Sequence, residues 1–310
     1  QFSMPVRFAN TVCGSFVLND GNDIPKIGFG TSQIRDQETL ITAVRAALKA
    51  GYRMFDTAER YENEEILGNA IQETLPEFKL KREDVFITTK VQIKNGETAS
   101  HVEDSVKASL EKLRTTYLDL VLVHYPRDRY TGHDDDERNE EERKIAWLKL
   151  EELHGRGLIR SLGVSNYDVY HLDEMKAYAK IKPVLDQNEY HPYLTQKLLL
   201  RYCKKNGIIF QAYSSLCARS QVISIPADRN GHLIAEEPVE QAARNHSVSV
   251  QTILYAFGLC SDAVIIPKSA TPSRIESNMA DVLKVKLTPH EMQTIRQLDQ
   301  HITAQASRCI

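Results

Sequence analysis

The chain has 310 residues, 42% of them hydrophobic and 26% charged, and its 39 basic and 42 acidic side chains give a net charge of −3. These values are typical of a soluble globular protein and exclude a disordered, collagenous or strongly basic nucleic-acid-binding chain. The longest aliphatic runs, such as residues 120–123, are far shorter than the roughly 18 residues that a membrane span needs, so no transmembrane helix is expected.

The first residues, Q-F-S-M-P, resemble neither a signal peptide nor a transit peptide, so we expect a cytoplasmic location. Five cysteines are scattered along the chain and never form a C-x-x-C pair. The sequence therefore predicts reduced thiols, without a disulfide framework or a metal site.

Short apolar runs bounded by turn residues alternate with stretches whose apolar positions follow the helical period. The predicted strands are residues 26–31, 53–57, 85–91, 118–124, 161–164, 184–188, 208–213 and 263–267. The predicted helices are residues 38–50, 63–74, 99–113, 140–156, 169–179, 196–206, 238–246 with 251–259, and 273–281. Before the first strand, residues 15–18 and the turn 19–21 predict a hairpin that caps the bottom of a barrel. After the eighth unit, residues 289–299 predict an extra helix.

Several predicted strands, such as residues 118–124, are continuously apolar, which is typical of parallel strands covered on both faces. Eight alternations without a linker favour a single (β/α)8 TIM barrel domain over residues 1–310 rather than an open doubly wound sheet. Two long loops, residues 126–139 and 214–237, would then lie at the carboxyl mouth, where barrel enzymes build active sites. Residues 127–143 carry eight acidic and four basic side chains and are interpreted as a solvated surface rather than a partner-binding patch.

Three familiar signatures fail at one position each. The third glycine of a dinucleotide-binding G-x-G-x-x-G is replaced by Gln33. Tyr167 occupies the second glycine of a G-x-S-x-G nucleophile elbow, and Thr294 replaces the second histidine of a zinc-binding H-E-x-x-H. A Rossmann site, a serine hydrolase and a zinc protease are therefore not supported.

Polar residues stand at or just beyond the ends of successive predicted strands: Asp56, Tyr61, Lys90 and His124. The carboxyl ends of barrel strands converge on one mouth, so these four side chains are expected to meet. A lysine paired with an aspartate would lower the pKa of a nearby tyrosine, and the tyrosine would donate a proton to a carbonyl oxygen that gains negative charge. Taken singly, each residue also has a structural interpretation: an ion pair, a buried histidine and a packing tyrosine.

From residue 16 to residue 298 the sequence resembles the aldo-keto reductase family. Residues 51–61, G-Y-R-M-F-D-T-A-E-R-Y, are similar to the family's G-Y-R-x-x-D-T-A-x-x-Y segment. Residues 89–91, 118–126, 163–166 and 266–275 are similar to its lysine strand, its histidine strand and two later segments, in the same order. The resemblance implies a monomeric oxidoreductase that acts on small carbonyl substrates.

By the same resemblance, Tyr61 is the general acid, Lys90 and Asp56 tune it, and His124 orients the carbonyl. The implied cofactor is NADPH/NADP+ rather than NADH, bound across the mouth without a Rossmann unit. The implied cofactor-binding residues are Thr31, Asp56, Ser165, Asn166, Gln187, Tyr213, Ser214, Leu216, Lys268, Ser269, Arg274 and Asn278.

The chain also departs from the family pattern. Ser277 stands where a glutamate often binds adenine, and residues 214–217, S-S-L-C, replace the usual S-P-L-G. The substrate pocket residues Ser32, Gln92 and Tyr125 replace common tryptophans, which favours small or polar carbonyls over steroids. The only tryptophan, Trp147, is interpreted as a packing residue on a helix.

Two other functions are compatible with these residues. One is a nicotinamide-binding sensor or scaffold subunit with little turnover. The other is an aldolase that uses Lys90 to form a Schiff base.

Overall fold

A computed structural model gives the fold and describes residues 6–128, 136–217, 233, 236–301 and 303. The strands are β1 Ser15–Val17, β2 Asp23–Pro25, β3 Phe29–Gly30, β4 Met54–Asp56, β5 Phe86–Val91, β6 Leu118–Val123, β7 Ile159–Ser165, β8 Leu185–Glu189, β9 Ile209–Tyr213 and β10 Val264–Ile265. The helices are α1 Gln37–Lys49, α2 Glu64–Thr74, α3 Thr98–Lys112, α4 Asp136–Gly155, α5 Val169–Glu174, α6 Lys197–Asn206, α7 Glu237–His246, α8 Val250–Leu259, α9 Pro272–Ala280 and α10 Pro289–Arg296.

Strands β3 to β10 form one parallel sheet in which each strand pairs with the next along the chain. The sheet closes where Ile27 bridges Ile265 in parallel. The Gly28 N–H donates to the Ile265 carbonyl oxygen at 2.8 Å, and the Ile265 N–H donates to the Lys26 carbonyl oxygen at 3.0 Å. The predicted (β/α)8 barrel is therefore confirmed.

The first and eighth barrel strands are shorter than predicted, at two residues each. Pro267 lies two residues after β10 and has no N–H to donate. The hydrogen-bond ladder between the first and eighth barrel strands therefore cannot continue past this residue with donors on both strands. The seam is also crowded, because a Cβ at Gly30 would lie 3.0 Å from the Ile266 carbonyl oxygen.

Strands β1 and β2 pair antiparallel, which confirms the predicted hairpin. The turn needs glycine, because Gly21 has a φ of +91°. Leu18 and Ile24 pack with Met54 and Phe86, which begin β4 and β5. The hairpin thus closes the amino-terminal end of the barrel with apolar side chains. The polar side chains of the barrel lie at its carboxyl end.

The barrel interior changes from apolar to polar along its axis. Side chains two residues apart on a strand share a face, so Met54 and Asp56 both point inward, one above the other. The lower layer includes Met54, Phe86, Leu120, Leu185 and Val264, all buried in one cluster. In β7, Gly163 makes room for this layer, since a Cβ there would lie 2.7 Å from Leu122 Cδ2.

The helices surround the sheet as predicted, with three differences. Helix α4 begins at Asp136, four residues earlier than predicted. The predicted helix 169–179 ends at Glu174 and continues as a 3-10 turn, Met175–Ala177. The extra helix α10 is present and ends at Arg296, three residues earlier than predicted. Trp147 on α4 is 1% exposed and donates its Nε1–H to Glu151 and to the Ile181 carbonyl oxygen, which confirms its packing role.

The interpretation of residues 127–143 as a solvated surface is only partly right. Residues 129–135 lie outside the described part of the chain, and so do most of residues 218–235 in the second long loop. Two of the described acids, Asp128 and Glu142, are buried. The Asp128 carboxylate accepts a hydrogen bond from the Asn95 N–H, and the Glu142 carboxylate accepts one from the Gly96 N–H. In the parts of the chain that the structure covers, no helix is both long and apolar enough to cross a membrane.

Candidate active site

The four polar residues predicted from the sequence lie together at the carboxyl mouth. Asp56 ends β4, Lys90 lies in β5, and Tyr61 ends a 3-10 turn, Glu59–Tyr61, that follows β4. Lys90 Nζ donates hydrogen bonds to Asp56 Oδ1 at 2.7 Å, to the Thr57 carbonyl oxygen at 2.8 Å and to the Tyr61 hydroxyl at 3.3 Å. Both members of the ion pair are buried, so water does not screen it.

The Lys90 ammonium acts directly on the Tyr61 phenol. Burial raises the pKa of Tyr61 above its ordinary value, and the nearby Lys90 charge offsets only part of that rise. Burial opposes the charge of Lys90, but attraction to Asp56 and Tyr61 is larger and raises the pKa of this ammonium. The net lowering of the Tyr61 pKa expected from the sequence is therefore wrong, because burial outweighs the ammonium. Tyr61 is a neutral phenol at neutral pH.

His124 follows β6 and stands beside Tyr61. Its ring stacks on Tyr125 with centroids 4.8 Å apart, and it meets the Tyr61 ring edge-to-face at 5.8 Å. Burial and the positive charges of Lys90 and Arg60 lower the pKa of His124 well below its ordinary value, so the imidazole is neutral. A neutral imidazole donates from one nitrogen only, and Nδ1 is buried without a partner among the described residues.

Gln187 on β8 links the ion pair to the opposite wall of the barrel. Its Nε2 donates to Asp56 Oδ2 at 2.8 Å and to Gln211 Oε1 at 2.7 Å. Asp56 thus accepts from Lys90 with one oxygen and from Gln187 with the other, which fixes the plane of its carboxylate. The sequence analysis missed Gln211, although it lies two residues before Tyr213 and so shares its face of β9.

The residues that the resemblance assigns to the nicotinamide also lie together. Tyr213 Oη donates to Asn166 Oδ1 at 2.5 Å, and Asn166 Nδ2 donates to the His124 carbonyl oxygen at 2.8 Å. Ser165 Oγ donates to the Gln187 carbonyl oxygen at 2.9 Å. Asn166 has a φ of 63°, a left-handed conformation that asparagine tolerates better than most residues.

A second group of cofactor candidates surrounds the start of α9. Lys268 and Arg274 are exposed, and neither pairs with an acid in the described ranges. Between them, Ser269 Oγ accepts a hydrogen bond from the Thr271 N–H at 3.0 Å. Asn278 lies about one turn beyond Arg274 and is half-buried. Two cations at a helix amino terminus that pair with no described acid fit a phosphate dianion.

The loop after β9 begins with a tight turn in which the Cys217 N–H donates to the Ser214 carbonyl oxygen at 2.8 Å. Ser214 and Cys217 have φ values of 53° and 48°, in the left-handed region. Cysteine adopts this conformation at a cost of roughly 1–2 kcal/mol that a glycine at position 217 would avoid. Leu216 packs against the core from inside this turn.

The predicted pocket residues Ser32, Gln92 and Tyr125, and the neighbouring predicted cofactor contact Thr31, differ in how firmly they are held. Thr31 is fully buried, and its hydroxyl donates to the Asp56 carbonyl oxygen at 2.9 Å. Ser32 next to it is half-buried. Gln92 Nε2 donates to Glu59 Oε1 at 3.1 Å, so its orientation is fixed by a carboxylate. Tyr125 is fixed by its stacking on His124.

Asn63 positions the loops of the mouth and was missed by the sequence analysis. Its Nδ2 donates to the carbonyl oxygens of Thr31 at 2.9 Å and Ile34 at 3.0 Å, and its Oδ1 accepts from Thr57 Oγ1 at 2.7 Å. It therefore ties the loop after β3 to the loop that carries Tyr61. No periodic pattern marks such a residue, and only its closeness to Tyr61 in the chain could have suggested it.

Comparison with known proteins identifies the family of this fold and site. The family model described as "Aldo/keto reductase family" matches residues 26–300. The chain belongs to the aldo-keto reductase family. A glyoxal reductase from Bacillus subtilis (strain 168) is 36% identical over 96% of this chain and 95% of its own length. A glycerol 2-dehydrogenase (NADP(+)) from Hypocrea jecorina is 39% identical over 85% of this chain and 86% of its own length.

Solved structures agree with this assignment. A Bombyx mori aldo-keto reductase in complex with NADP is 29% identical, with a TM-score of 0.82 and coverage of 95% of both chains. An aldo-keto reductase from a deep-sea metagenome library is 32% identical, with a TM-score of 0.80 over 93% of this chain and 96% of that one. This aldo-keto reductase is therefore an oxidoreductase of a family that uses a nicotinamide cofactor.

Proposed function

We propose that this aldo-keto reductase reduces aldehydes and ketones to alcohols with NADPH, and that Tyr61 is the general acid. The observation that carries the proposal is the hydrogen bond of 3.3 Å between Lys90 Nζ and the Tyr61 hydroxyl, with Lys90 paired to Asp56 at 2.7 Å. A buried cation next to a neutral phenol stabilises the phenolate that forms when the proton leaves.

The chemical step needs a hydride for the carbonyl carbon and a proton for the oxygen. When bound, NADPH would supply the hydride. Tyr61 donates its phenolic proton to the oxygen, and the resulting phenolate is stabilised by Lys90 until it regains a proton from solvent. Neutral His124 donates a second hydrogen bond to the same oxygen and holds the carbonyl in line. The products are an alcohol and the oxidised cofactor.

We assign the cofactor to the two groups of residues described above. Ser165, Asn166 and Gln187 would hold the carboxamide, and Tyr213 would stack on the ring. Lys268, Ser269 and Arg274 would bind the adenosine 2′-phosphate, which only NADPH carries, while Asn278 would contact the adenine. Thr31, Ser214 and Leu216 remain predicted contacts at the mouth.

The substrates are proposed to be small or polar carbonyl compounds. The pocket residues Ser32 and Gln92 are polar, and Gln92 is held by a carboxylate, so an extended apolar substrate would leave polar groups without partners. One relative is named as a glyoxal reductase, which agrees with a small substrate. A monomeric state, a cytoplasmic location and a single domain over residues 1–310 stay predictions.

The test follows NADPH absorbance at neutral pH with methylglyoxal, glyceraldehyde, a nitrobenzaldehyde, a quinone and a steroid. We expect turnover with NADPH, much weaker turnover with NADH, and a loss of at least about a hundredfold in Tyr61→Phe, because a positioned acid contributes about 10²–10⁴-fold. Unchanged NADPH binding to Tyr61→Phe is the control. A steroid reduced faster than methylglyoxal would contradict the polar pocket.

Two results would favour the other functions. NADPH binding without reduction of any carbonyl would favour a sensor or scaffold subunit. Trapping of a substrate on Lys90 by borohydride would favour an aldolase.

A further inference from the structure

Arg60 immediately precedes the proposed acid Tyr61, and the reduction proposed above gives it no role. It lies in the one-turn 3-10 helix Glu59–Tyr61, where successive side chains point about 120° apart. Glu59 is directed to α3 and Tyr61 to the barrel interior, as their hydrogen bonds show. Arg60 takes the third direction, and its side chain is exposed at the mouth.

The acid that precedes Arg60 in the chain, Glu59, is occupied by other groups. Glu59 Oε1 accepts hydrogen bonds from Gln92 at 3.1 Å and from His101 at 2.9 Å, and Glu59 Oε2 accepts one from Ser105. Burial opposes ionisation, but the three donors outweigh it and lower the pKa of Glu59, so it is a carboxylate at neutral pH. It has three partners and turns away from Arg60.

The acid on the other side is occupied as well. Glu62 pairs with Arg35 at 3.3 Å, on the loop that follows β3. No other described residue forms a hydrogen bond or an ion pair with the Arg60 guanidinium. Although the local sequence E-R-Y-E contains charges of both signs, Arg60 has no ion-pair partner within the described part of the chain.

This cation is next to the proposed acid Tyr61 in the one-turn 3-10 helix Glu59–Tyr61. Its positive charge is one of the causes that lower the pKa of His124, the residue proposed to hold the carbonyl oxygen. The Lys90 charge is compensated by Asp56 at 2.7 Å, whereas no acid among the described residues compensates the charge of Arg60. An uncompensated charge in a cleft attracts ligands of opposite sign and orients them.

We propose that Arg60 makes the active site select carbonyl substrates that also carry an oxyanion, a carboxylate or a phosphate, a few bonds from the carbonyl. A guanidinium offers a planar pair of N–H donors that matches the two oxygens of a carboxylate, and it binds phosphate in the same way. The substrate's carbonyl would stay between Tyr61 and His124 while its anionic end rests on Arg60. This inference rests on the proposed reductase function.

The test compares matched pairs of aldehydes at saturating NADPH. The first pair is 4-carboxybenzaldehyde and its neutral amide isostere 4-formylbenzamide; the second is glyceraldehyde 3-phosphate and glyceraldehyde. For each pair the quantity measured is the ratio of kcat/KM for the anion to kcat/KM for the neutral compound. We expect Arg60→Gln to lower the ratio about tenfold, since charge-assisted hydrogen bonds at a partly exposed site are of that order. A change in the first pair alone would assign the site to carboxylates, and a change in the second alone to phosphates.

Arg45→Gln is the matched control, because Arg45 is a partly exposed arginine on α1 that pairs with Glu73 and Glu77, on α2 and the turn after it. It is expected to keep the wild-type ratio. Added salt should lower the ratio in the wild type and leave it unchanged in Arg60→Gln, because screening acts on the charge and not on the fold. Equal ratios in the wild type and Arg60→Gln, with both aldehydes reduced, would overturn the inference alone. No reduction of any aldehyde by the wild type would instead overturn the reductase function, and the inference with it.

Discussion

Tyr61 and His124 have pKa shifts in opposite directions, and both shifts keep the side chain uncharged at neutral pH. Burial raises the pKa of Tyr61 above its ordinary value of about 10, and burial with two nearby cations lowers the pKa of His124 below about 6.5. Across neutral pH the phenol therefore keeps its proton, and the imidazole keeps a lone pair and one N–H. Neither residue changes its charge in this range.

We therefore expect kcat/KM for reduction, at saturating NADPH, to vary less than about twofold between about pH 6 and about pH 9. The rate should fall only in alkaline solution, when the phenol ionises and its proton is lost before the carbonyl can accept it. A pH profile with one uncharged aldehyde checks this. A titration step near pH 6.5 would show that His124 acts as a cation, and a fall between pH 7 and 9 would show that Tyr61 is more acidic than its burial implies.

At the scale of single elements, helix α10 begins with a reciprocal cap. The Glu291 N–H donates to Thr288 Oγ1 at 3.2 Å, and Glu291 Oε2 accepts from the Thr288 N–H at 2.8 Å. Asn245 and His246 at the end of α7 donate to the same carboxylate, so the cap also joins two helices. Burial acts to raise the pKa of Glu291, but these hydrogen bonds outweigh it and lower the pKa to about 2.

Glu291→Gln is expected to lower the free energy of unfolding by about 1–2 kcal/mol at pH 7, measured by urea denaturation. The folded pKa lies below the unfolded value of about 4.3, so the carboxylate stabilises the fold above that pH and loses this effect as pH falls towards 2. The difference between wild type and variant should shrink over the same range. Glu276→Gln is the control, because its ion pair with Lys49 is exposed and should contribute less than about 1 kcal/mol. Equal losses in the two variants would refute the role of the cap.

At the scale of the whole molecule, the proposed cofactor would connect distant strands. The nicotinamide group of residues belongs to β7, β8 and β9, whereas Lys268 and Arg274 lie beyond β10 at the barrel seam. The seam has only two short strands, so a ligand that spans it should resist unfolding of the barrel. Any ligand that binds only the folded state stabilises it by mass action.

NADPH at about 100 times its Kd should therefore stabilise the protein by about 2.7 kcal/mol and raise Tm, and NADH at the same concentration should do so less. Arg274→Gln should remove most of this difference, because the guanidinium is proposed to bind the 2′-phosphate. Lys284→Gln, which removes an exposed cation paired with Asp281, should leave the difference unchanged. Equal shifts with NADPH and NADH in the wild type would contradict the proposed phosphate site.

The alternation of apolar runs and amphipathic stretches was sufficient to predict the barrel, the hairpin and the extra helix, because both periods are local properties of the chain. Tyr61, Lys90, Asp56 and His124 could be predicted as neighbours because barrel strands end at one mouth.

Gln211 and Asn63 could not be predicted, since nothing local shows which polar side chains meet across the barrel. The direction of the Tyr61 pKa shift predicted from the sequence was wrong, because the extent of burial depends on all the surrounding elements. Likewise, the charges of residues 59–62 are compatible with local pairing. Only the tertiary structure pairs Glu59 with α3 and Glu62 with Arg35, and it leaves Arg60 without a partner among the described residues.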